Sequence, residues 1–287
     1  MQPVAKHGDL DPQRVGVLWR DGFVVLAQML DGTDLEQARA AADGVLRDGR
    51  PGACERPNNT LTPLRWNDPL VGSIVGDGAR IGGAIGANDL RWISGYVSVK
   101  EPVSPPLWWH TDWWCWDHPV SFRCPAPQVA LLCYLSDTDV STGALRVIPG
   151  SHLRSVPLHA GLPEAHSTDA CALHLDHEAM SEQADQVTLE LRAGDAVIVD
   201  YRLLHGTCPN TGDDRRDCVL LSFAPSWKDL PPDLQGHLIS HPALPGDDEQ
   251  RPGGPGGIEA LLPSYQGERR DLVLNRNAPA IFEAGHL

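Results

Sequence analysis

Four short apolar runs limit the fold more than anything else in this chain: "RWISGYVSVK" (91–100), "PQVALLCYLSD" (127–137), "DAVIVDYRLLHG" (195–206) and "RDCVLLSFAPSW" (216–227). Each is rich in β-branched or aromatic residues and is bounded by Gly, Pro, Asn or Asp, the pattern of strands between tight turns. No convincing long helix interrupts them, the stretch around 177–185 being the one candidate. Upstream the period changes. "TDLEQARAAADGVLRDG" sets Thr33 and Glu36 at capping-box spacing, puts Leu35, Ala38, Ala42, Val45 and Leu46 along one helical stripe, and offers Gly49 as a stop. A short helix from about Pro12, with Asp11 as its N-cap, and a strand at Phe23 to Leu26 precede it. Helices first and strands afterwards predict a mainly β protein with flanking α-helices, in which a helical layer packs on a β-sandwich or barrel. One domain over 1–287 is expected, with a helical layer over about 1–50, a β core over about 90–228 and a C-terminal extension over 229–287. Within that extension "GDDEQRPGGPGG" reads as loop.

The formal charge is −15, from 38 acidic against 23 basic residues. Such a field repels nucleic acid and anionic membranes and suits a neutral or cationic small molecule, although a local basic pocket overrides it. The seven cysteines form no CxxC pair and leave one over, which argues against a disulfide framework or a zinc knuckle and for a reducing cytoplasm. "MQPVAKHGDLDPQRVGV" has no apolar signal region, and no run approaches a membrane span. A soluble cytoplasmic monomer or weak homo-oligomer is expected.

The stretch "WWHTDWWCWDHP" (108–119) holds five of the nine tryptophans around a His and an Asp. On an extended strand His110 and Asp112 project from one face and are able to meet at one ion. His-x-Asp triplets also occur at His7–Asp9 and His174–Asp176, but these lie in a polar N-terminal tail and in the variable-looking stretch 154–190, where solvated side chains are the simpler reading. A third ligand is available at His205, which is expected to end the strand "DAVIVDYRLLH". Two His and one carboxylate form the facial set of non-haem Fe(II) oxygenases. Eleven residues on, Arg216 opens the next apolar strand, where a buried guanidinium needs an anion such as the carboxylate of a dicarboxylic cosubstrate. Taken singly, each has a plainer explanation: a strand-end His is often a structural hydrogen-bonding residue, and an Arg after "GDD" is able to pair with Asp213 or Asp214.

These residues resemble the phytanoyl-CoA dioxygenase family of Fe(II)- and 2-oxoglutarate-dependent oxygenases. The resemblance runs from "RDGFVVL" to "LLSF" and is carried by "SVKEP" followed by "WWHTDWW", by "YLSDTDVSTGALRVIPGSH", and by "RAGDAVIVDYRLLHGTCPNTGDDRR". It implies a double-stranded β-helix (jelly-roll, cupin-like), with iron on His110, Asp112 and His205, Arg216 clamping the distal carboxylate of 2-oxoglutarate, and Thr207 assisting the clamp. Trp116 matches a Trp of ectoine-hydroxylase-like members, and Ser94, Ser98 and Lys100 lie on the strand that usually borders the cosubstrate. Arg216 is preferred to Arg215 because counting from it reproduces the family strand. Gly143, Gly150 and His152 belong to matched blocks but read as turn glycines and a structural His.

The resemblance further implies that O2 and 2-oxoglutarate give succinate and CO2 while a substrate C–H bond is oxidised. Hydroxylation is favoured, since related halogenases replace the carboxylate at the Asp112 position by a small residue. Desaturation, epimerisation or cyclisation starts from the same hydrogen abstraction. Strand alternation from His110 turns Trp114 toward the pocket and Trp113 outward into packing, with Trp113 kept as a second candidate for the substrate wall should the alternation break after Asp112. The absence of an obvious Lys/Arg cluster speaks against a CoA substrate and for a small metabolite or natural product. His152, His159, His166, His174 and His177, in or beside 154–190, are expected at the surface of a segment that could cover the substrate. A cupin-like hydrolase or isomerase using zinc or manganese on the same ligands, and a non-catalytic binding module, remain the competing readings.

Overall fold

The computed structural model describes residues 12–54, 56–76, 78–246, 249 and 255–285. The Asp11 cap, the His7–Asp9 triplet and much of the 246–257 loop lie outside the described residues. Helix α1 (Pro12–Asp21) leads into β1 (Phe23–Leu26), α2 (Gly32–Arg47), β2 (Thr60–Leu64), α3 (Pro69–Val75) and α4 (Ala79–Ile85). The core strands follow: β3 (Arg91–Lys100), β4 (Leu107–His110), β5 (Val129–Tyr134) and β6 (Leu145–Val147). After the short helix α5 (Thr168–Cys171) come β7 (Val187–Leu189), β8 (Ala196–Asp200), β9 (His205–Thr207) and β10 (Arg216–Ala224), then α6 (Pro232–Leu238).

The strands form a six-stranded sheet in the order β1-β8-β5-β10-β3-β2 and a four-stranded sheet in the order β4-β9-β6-β7, with antiparallel pairing throughout. The four runs read from the sequence are long apolar stretches because the large sheet is buried on both faces. On β10, Val219, Leu221 and Phe223 face outward into a core shared with α1 to α4, where Leu18, Ala38, Ala42, Val45, Leu70, Ile74 and Ile81 meet them. Each such fully buried aliphatic side chain contributes about 1.5–3 kcal/mol. The inner face, with Tyr134, Val197, Val199 and Cys218, packs against Leu145 and Val147 of the small sheet. Two sheets closed on each other in this way are the double-stranded β-helix that the resemblance implied.

Several local expectations are corrected. The cap of α2 is Asp31 with no side-chain cap hydrogen bond, so the Thr33/Glu36 box is not used. Around 177–185 only a 3-10 turn at Glu178–Met180 forms. Helices α3 and α4, seven residues each and holding one and two glycines, carry no strong helical period in sequence, and burial in the core they share with α1 and α2 decides for them. No helix among the described residues is long and apolar enough to cross a membrane. The seven cysteines are free.

Candidate active site

The strand "DAVIVDYRLLH" is really two. β8 stops at Asp200, a tight turn follows, and His205 opens β9 in the other sheet rather than ending the first strand. The turn is fixed from below. Asp200 and Arg202 are fully buried and paired through two hydrogen bonds, Nε to Oδ1 at 2.9 Å and Nη2 to Oδ2 at 2.6 Å. At the crest, the Tyr201 carbonyl accepts the backbone N–H groups of Asp112 and Trp113, each at 2.8 Å. β4 and β9 pair so that His110 stands directly opposite His205. Gly206 permits this approach, since a Cβ there would lie 2.8 Å from the Leu107 carbonyl oxygen. Asp112 is thereby folded back over the two imidazoles, with Oδ1 3.6 Å from His110 Nε2 and Oδ2 3.5 Å from His205 Nε2. These separations are too long for good hydrogen bonds, so the two imidazole Nε2 atoms face the carboxylate with their lone pairs unspent.

A fourth group joins them. His166, from the 154–190 segment, brings Nε2 to 3.1 Å from Asp112 Oδ1, and the ligating atoms of His110, Asp112 and His166 all lie within 4.8 Å of one another. Hydrogen-bond partners separate the histidines by tautomer. His110 Nδ1 meets the Trp108 carbonyl at 2.9 Å and His205 Nδ1 meets the Leu203 carbonyl at 3.0 Å; a carbonyl only accepts, so both rings carry the proton on Nδ1 and keep a lone pair on Nε2. His166 Nδ1 instead lies 3.0 Å from Arg56 Nη1, which only donates, so its proton sits on Nε2 and is given to Asp112. Burial, with the neighbouring His205, holds the His110 pKa well below its ordinary value, so that ring is neutral. Burial by itself would raise the Asp112 carboxyl, but the hydrogen bond that His166 donates favours the ionised form.

These groups open into a cavity of about 480 Å³, within the usual range of ligand sites. Arg216 lines it at 4% exposure, over the Tyr134 ring, with its Nε buried and without a partner. Thr207 and Ser98 line the same region, as does Ser94 farther along β3. The Thr207 hydroxyl accepts from Leu107 N–H at 3.3 Å, and that of Ser98 from Asn59 Nδ2 at 3.4 Å, which leaves both O–H groups to donate. Arg215 turns to the surface and pairs with Asp43 and Asp217. Trp114 is a wall of the cavity, its Nε1 held by Gln128.

Three sequence expectations fail here. Trp113 does not line the cavity; it packs behind the wall against Trp114, ring centroids 5.2 Å apart, and donates to Ser121. Trp116 does not line it either, and packs between Phe122 and Phe282. Lys100 is fully buried beside the cavity but turns Nζ onto the carbonyls of Asn58 and Pro105, at 3.0 and 2.6 Å. Burial, with Arg216 and Arg146 nearby, lowers its pKa to about 7. Sequence reasoning also missed His166, Arg56, Tyr201, Gln128, His237 and Arg276, which come from turns and from the C-terminal extension, where no periodicity marks an inward face.

The remaining histidines near 154–190 are mostly not surface residues. His152 and His159 are buried, His177 caps the Glu178–Met180 turn, and His174 is exposed. Burial lowers the pKa of His159 to about 4 and, with help from His237, that of His241 to about 4. Their folded pKa values lie below the unfolded one, so stability is full above about pH 6.5 and is lost as pH falls toward 4, by up to about 1.4 kcal/mol per pH unit per histidine. In denaturant titrations across that window, His159→Gln should flatten the slope.

The sequence profile described as Phytanoyl-CoA dioxygenase (PhyH) matches residues 18–218. The chain belongs to this family. Among curated relatives, an ectoine dioxygenase of Nocardia farcinica is 24% identical over 239 residues, 75% of this chain and 78% of the relative. An L-proline trans-4-hydroxylase of Streptomyces griseoviridis is 24% identical over 220 residues, 70% of this chain and 81% of the relative. Among solved structures, HygX from Streptomyces hygroscopicus with nickel and 2-oxoglutarate bound has a TM-score of 0.55 at 18% identity, covering 75% of this chain and 87% of HygX. The non-heme alpha ketoglutarate dependent carbocyclase SnoK has a TM-score of 0.54 at 24% identity, covering 75% of this chain and 83% of SnoK. This PhyH-family chain is therefore a non-haem iron, 2-oxoglutarate-dependent dioxygenase on a jelly-roll fold.

Proposed function

We propose that the chain holds Fe(II) on His110, Asp112 and His205 and 2-oxoglutarate against Arg216, and that it hydroxylates an unactivated C–H bond of a small metabolite or natural product, forming succinate. The observation that carries this reading is the coincidence, in one cavity, of two Nε2 lone pairs converging on an ionised carboxylate and a buried guanidinium with an orphaned Nε. Bound there, iron supplies activation of O2 coupled to decarboxylation of 2-oxoglutarate. The chain's own residues do the rest. Arg216, with the free O–H groups of Thr207 and Ser98, makes a donor set for a carboxylate, and the Trp108 and Leu203 carbonyls keep both imidazoles in the ligating tautomer. The presence of Asp112, in place of a small residue, supports hydroxylation rather than halogenation. We place the C-terminal extension in the same domain, because its residues line the cavity.

Calorimetry with 2-oxoglutarate and assay of O2-dependent succinate release test this. Arg216→Gln is expected to weaken 2-oxoglutarate by about tenfold to a hundredfold, the worth of a buried charge-assisted hydrogen bond. Arg215→Gln, which breaks only a surface pair, should leave it unchanged. Metal-dependent activity that needs no 2-oxoglutarate and ignores Arg216 would favour the zinc or manganese hydrolase instead.

A further inference from the structure

The cavity has a second concentration of donors for which the cosubstrate gives no role. Arg276 lines it, half-buried, and makes no hydrogen bond or ion pair with any described residue. Its position is imposed by backbone. Asn275 donates its N–H to the Trp114 carbonyl at 2.9 Å and accepts from Trp116 N–H at 3.1 Å, while its side chain holds Asp117 at 2.8 Å. The chain at 275 is thus pinned as a bridge onto the tryptophan-rich segment, and Arg276 is presented beside Trp114. Other polar groups of the lining also donate, among them His237, whose ring lies 4.7 Å from that of Trp114. His237 Nδ1 accepts from Leu272 N–H at 3.2 Å and His241 Nδ1 from Ala243 N–H at 3.1 Å, so each ring keeps a proton on Nε2. Tyr96, also in the wall, has no hydrogen-bond partner among the described residues; burial pushes its hydroxyl pKa up, and Arg276 and Asp112 act on it in opposite directions.

This cluster is separate from the Arg216 end. Lys100 stands opposite Arg216 and Tyr96 opposite Leu220 on β10, so the two ends are four residues apart along β3, on the order of 13 Å. On β3 Ser98 stands between them, and the apolar and aromatic part of the lining includes Trp114, Ile93 and Leu220. A half-buried guanidinium without a hydrogen-bond or ion-pair partner among the described residues, beside apolar and aromatic walls, calls for a ligand that brings the acceptor. A single planar guanidinium with neutral N–H and O–H neighbours matches one carboxylate, whereas a dianionic phosphate would have less compensation against a net charge of −15.

Resting on the oxygenase reading above, we propose that the substrate is a partly apolar carboxylate, its anionic group bound by Arg276 with His237 and Tyr96 and its body lying along Trp114. This replaces the neutral or cationic ligand that the overall charge suggested. Arg276 then sets which molecules are held, and the distance from carboxylate to metal selects the carbon presented for oxidation.

The probes are 3-phenylpropionate, 4-phenylbutyrate and indole-3-butyrate against their primary amides, matched in shape and differing in charge. They are titrated calorimetrically into anaerobic Fe(II) protein saturated with 2-oxoglutarate, so that Arg216 is already engaged. At least one acid should bind roughly tenfold or more tightly than its amide. Arg276→Gln should erase that difference while leaving amide affinity and 2-oxoglutarate affinity unchanged. The proposal is overturned if no acid is preferred in the parent protein, if the preference survives Arg276→Gln, or if Arg276→Gln weakens 2-oxoglutarate as much as the acids. On metal-free protein the part of the acid preference that Arg276→Gln removes reads the Arg276 site apart from Arg216, so a parent that fails to bind 2-oxoglutarate yet discriminates acid from amide through Arg276 would sink the oxygenase reading and spare this one.

Discussion

Asp112→Ala and His205→Ala are each expected to abolish Fe(II) binding and all 2-oxoglutarate turnover, whereas His166→Ala reduces iron affinity by about 10–100-fold, the usual cost of losing a hydrogen-bond partner to a ligand. The ranking follows from protons rather than from proximity. His166 is closer to Asp112, at 3.1 Å, than either His110 at 3.6 Å or His205 at 3.5 Å. Its Nε2 proton, dictated by Arg56 on the far side of the ring, makes it a donor to the carboxylate and not a donor of electrons to a metal. His166→Gln, which retains an N–H able to reach Asp112, should recover much of the loss. Titrating Fe(II) into each variant anaerobically and following succinate release under air give both quantities. If His166→Ala proved as damaging as Asp112→Ala while His205→Ala stayed active, the ligand set would be His110, Asp112 and His166, and the tautomer argument would be wrong.

That distinction lay beyond the sequence, and the reason is physical. The sheet residues were legible: β10 alternates strictly, so that Arg216, Cys218 and Leu220 reach the cavity while Val219 and Leu221 enter the outer core, and the rule that separates Arg216 from Arg215 is the two-residue period of a strand. His110 and His205 become opposite partners through the pairing of β4 with β9, which the sequence did not reveal, since it reads His205 as the end of the preceding strand. Alternation stops being a guide at His110, where β4 ends. Beyond it the chain bends so that consecutive N–H groups, those of Asp112 and Trp113, share the Tyr201 carbonyl. Trp114 lines the cavity because of that bend, and the same bend carries Trp113 and Trp116 into packing. His166 and Arg276 sit in segments with no period, and only long-range bonds, to Arg56 in one case and through Asn275 to Trp114 in the other, decide which way they face.

The bend itself leads to the second large effect. Arg202→Ala is expected to destabilise the protein by about 3–5 kcal/mol, because it leaves Asp200 ionised, fully buried and unpaired. It also removes the donors to the Ser121 and Arg123 carbonyls, at 2.9 and 2.7 Å, which tie the turn to the segment following the tryptophans. Asp200 needs this partner: burial pushes its carboxyl up, and the Arg202 charge and hydrogen bonds bring it back below its usual value. For a domain of this size the loss corresponds to a fall in Tm of roughly 10 °C. Stability and function separate in the double variant Asp200→Leu with Arg202→Met. An apolar pair of similar volume should restore most of the stability, since the desolvation cost of both charges disappears. Iron affinity should stay reduced, because the Tyr201 carbonyl, which fixes Asp112 through two hydrogen bonds, would no longer be held from below. Chemical denaturation and Fe(II) titration of the same samples decide the matter: a double variant with parental iron affinity would mean that the buried pair serves the fold alone and that Asp112 finds its place without it.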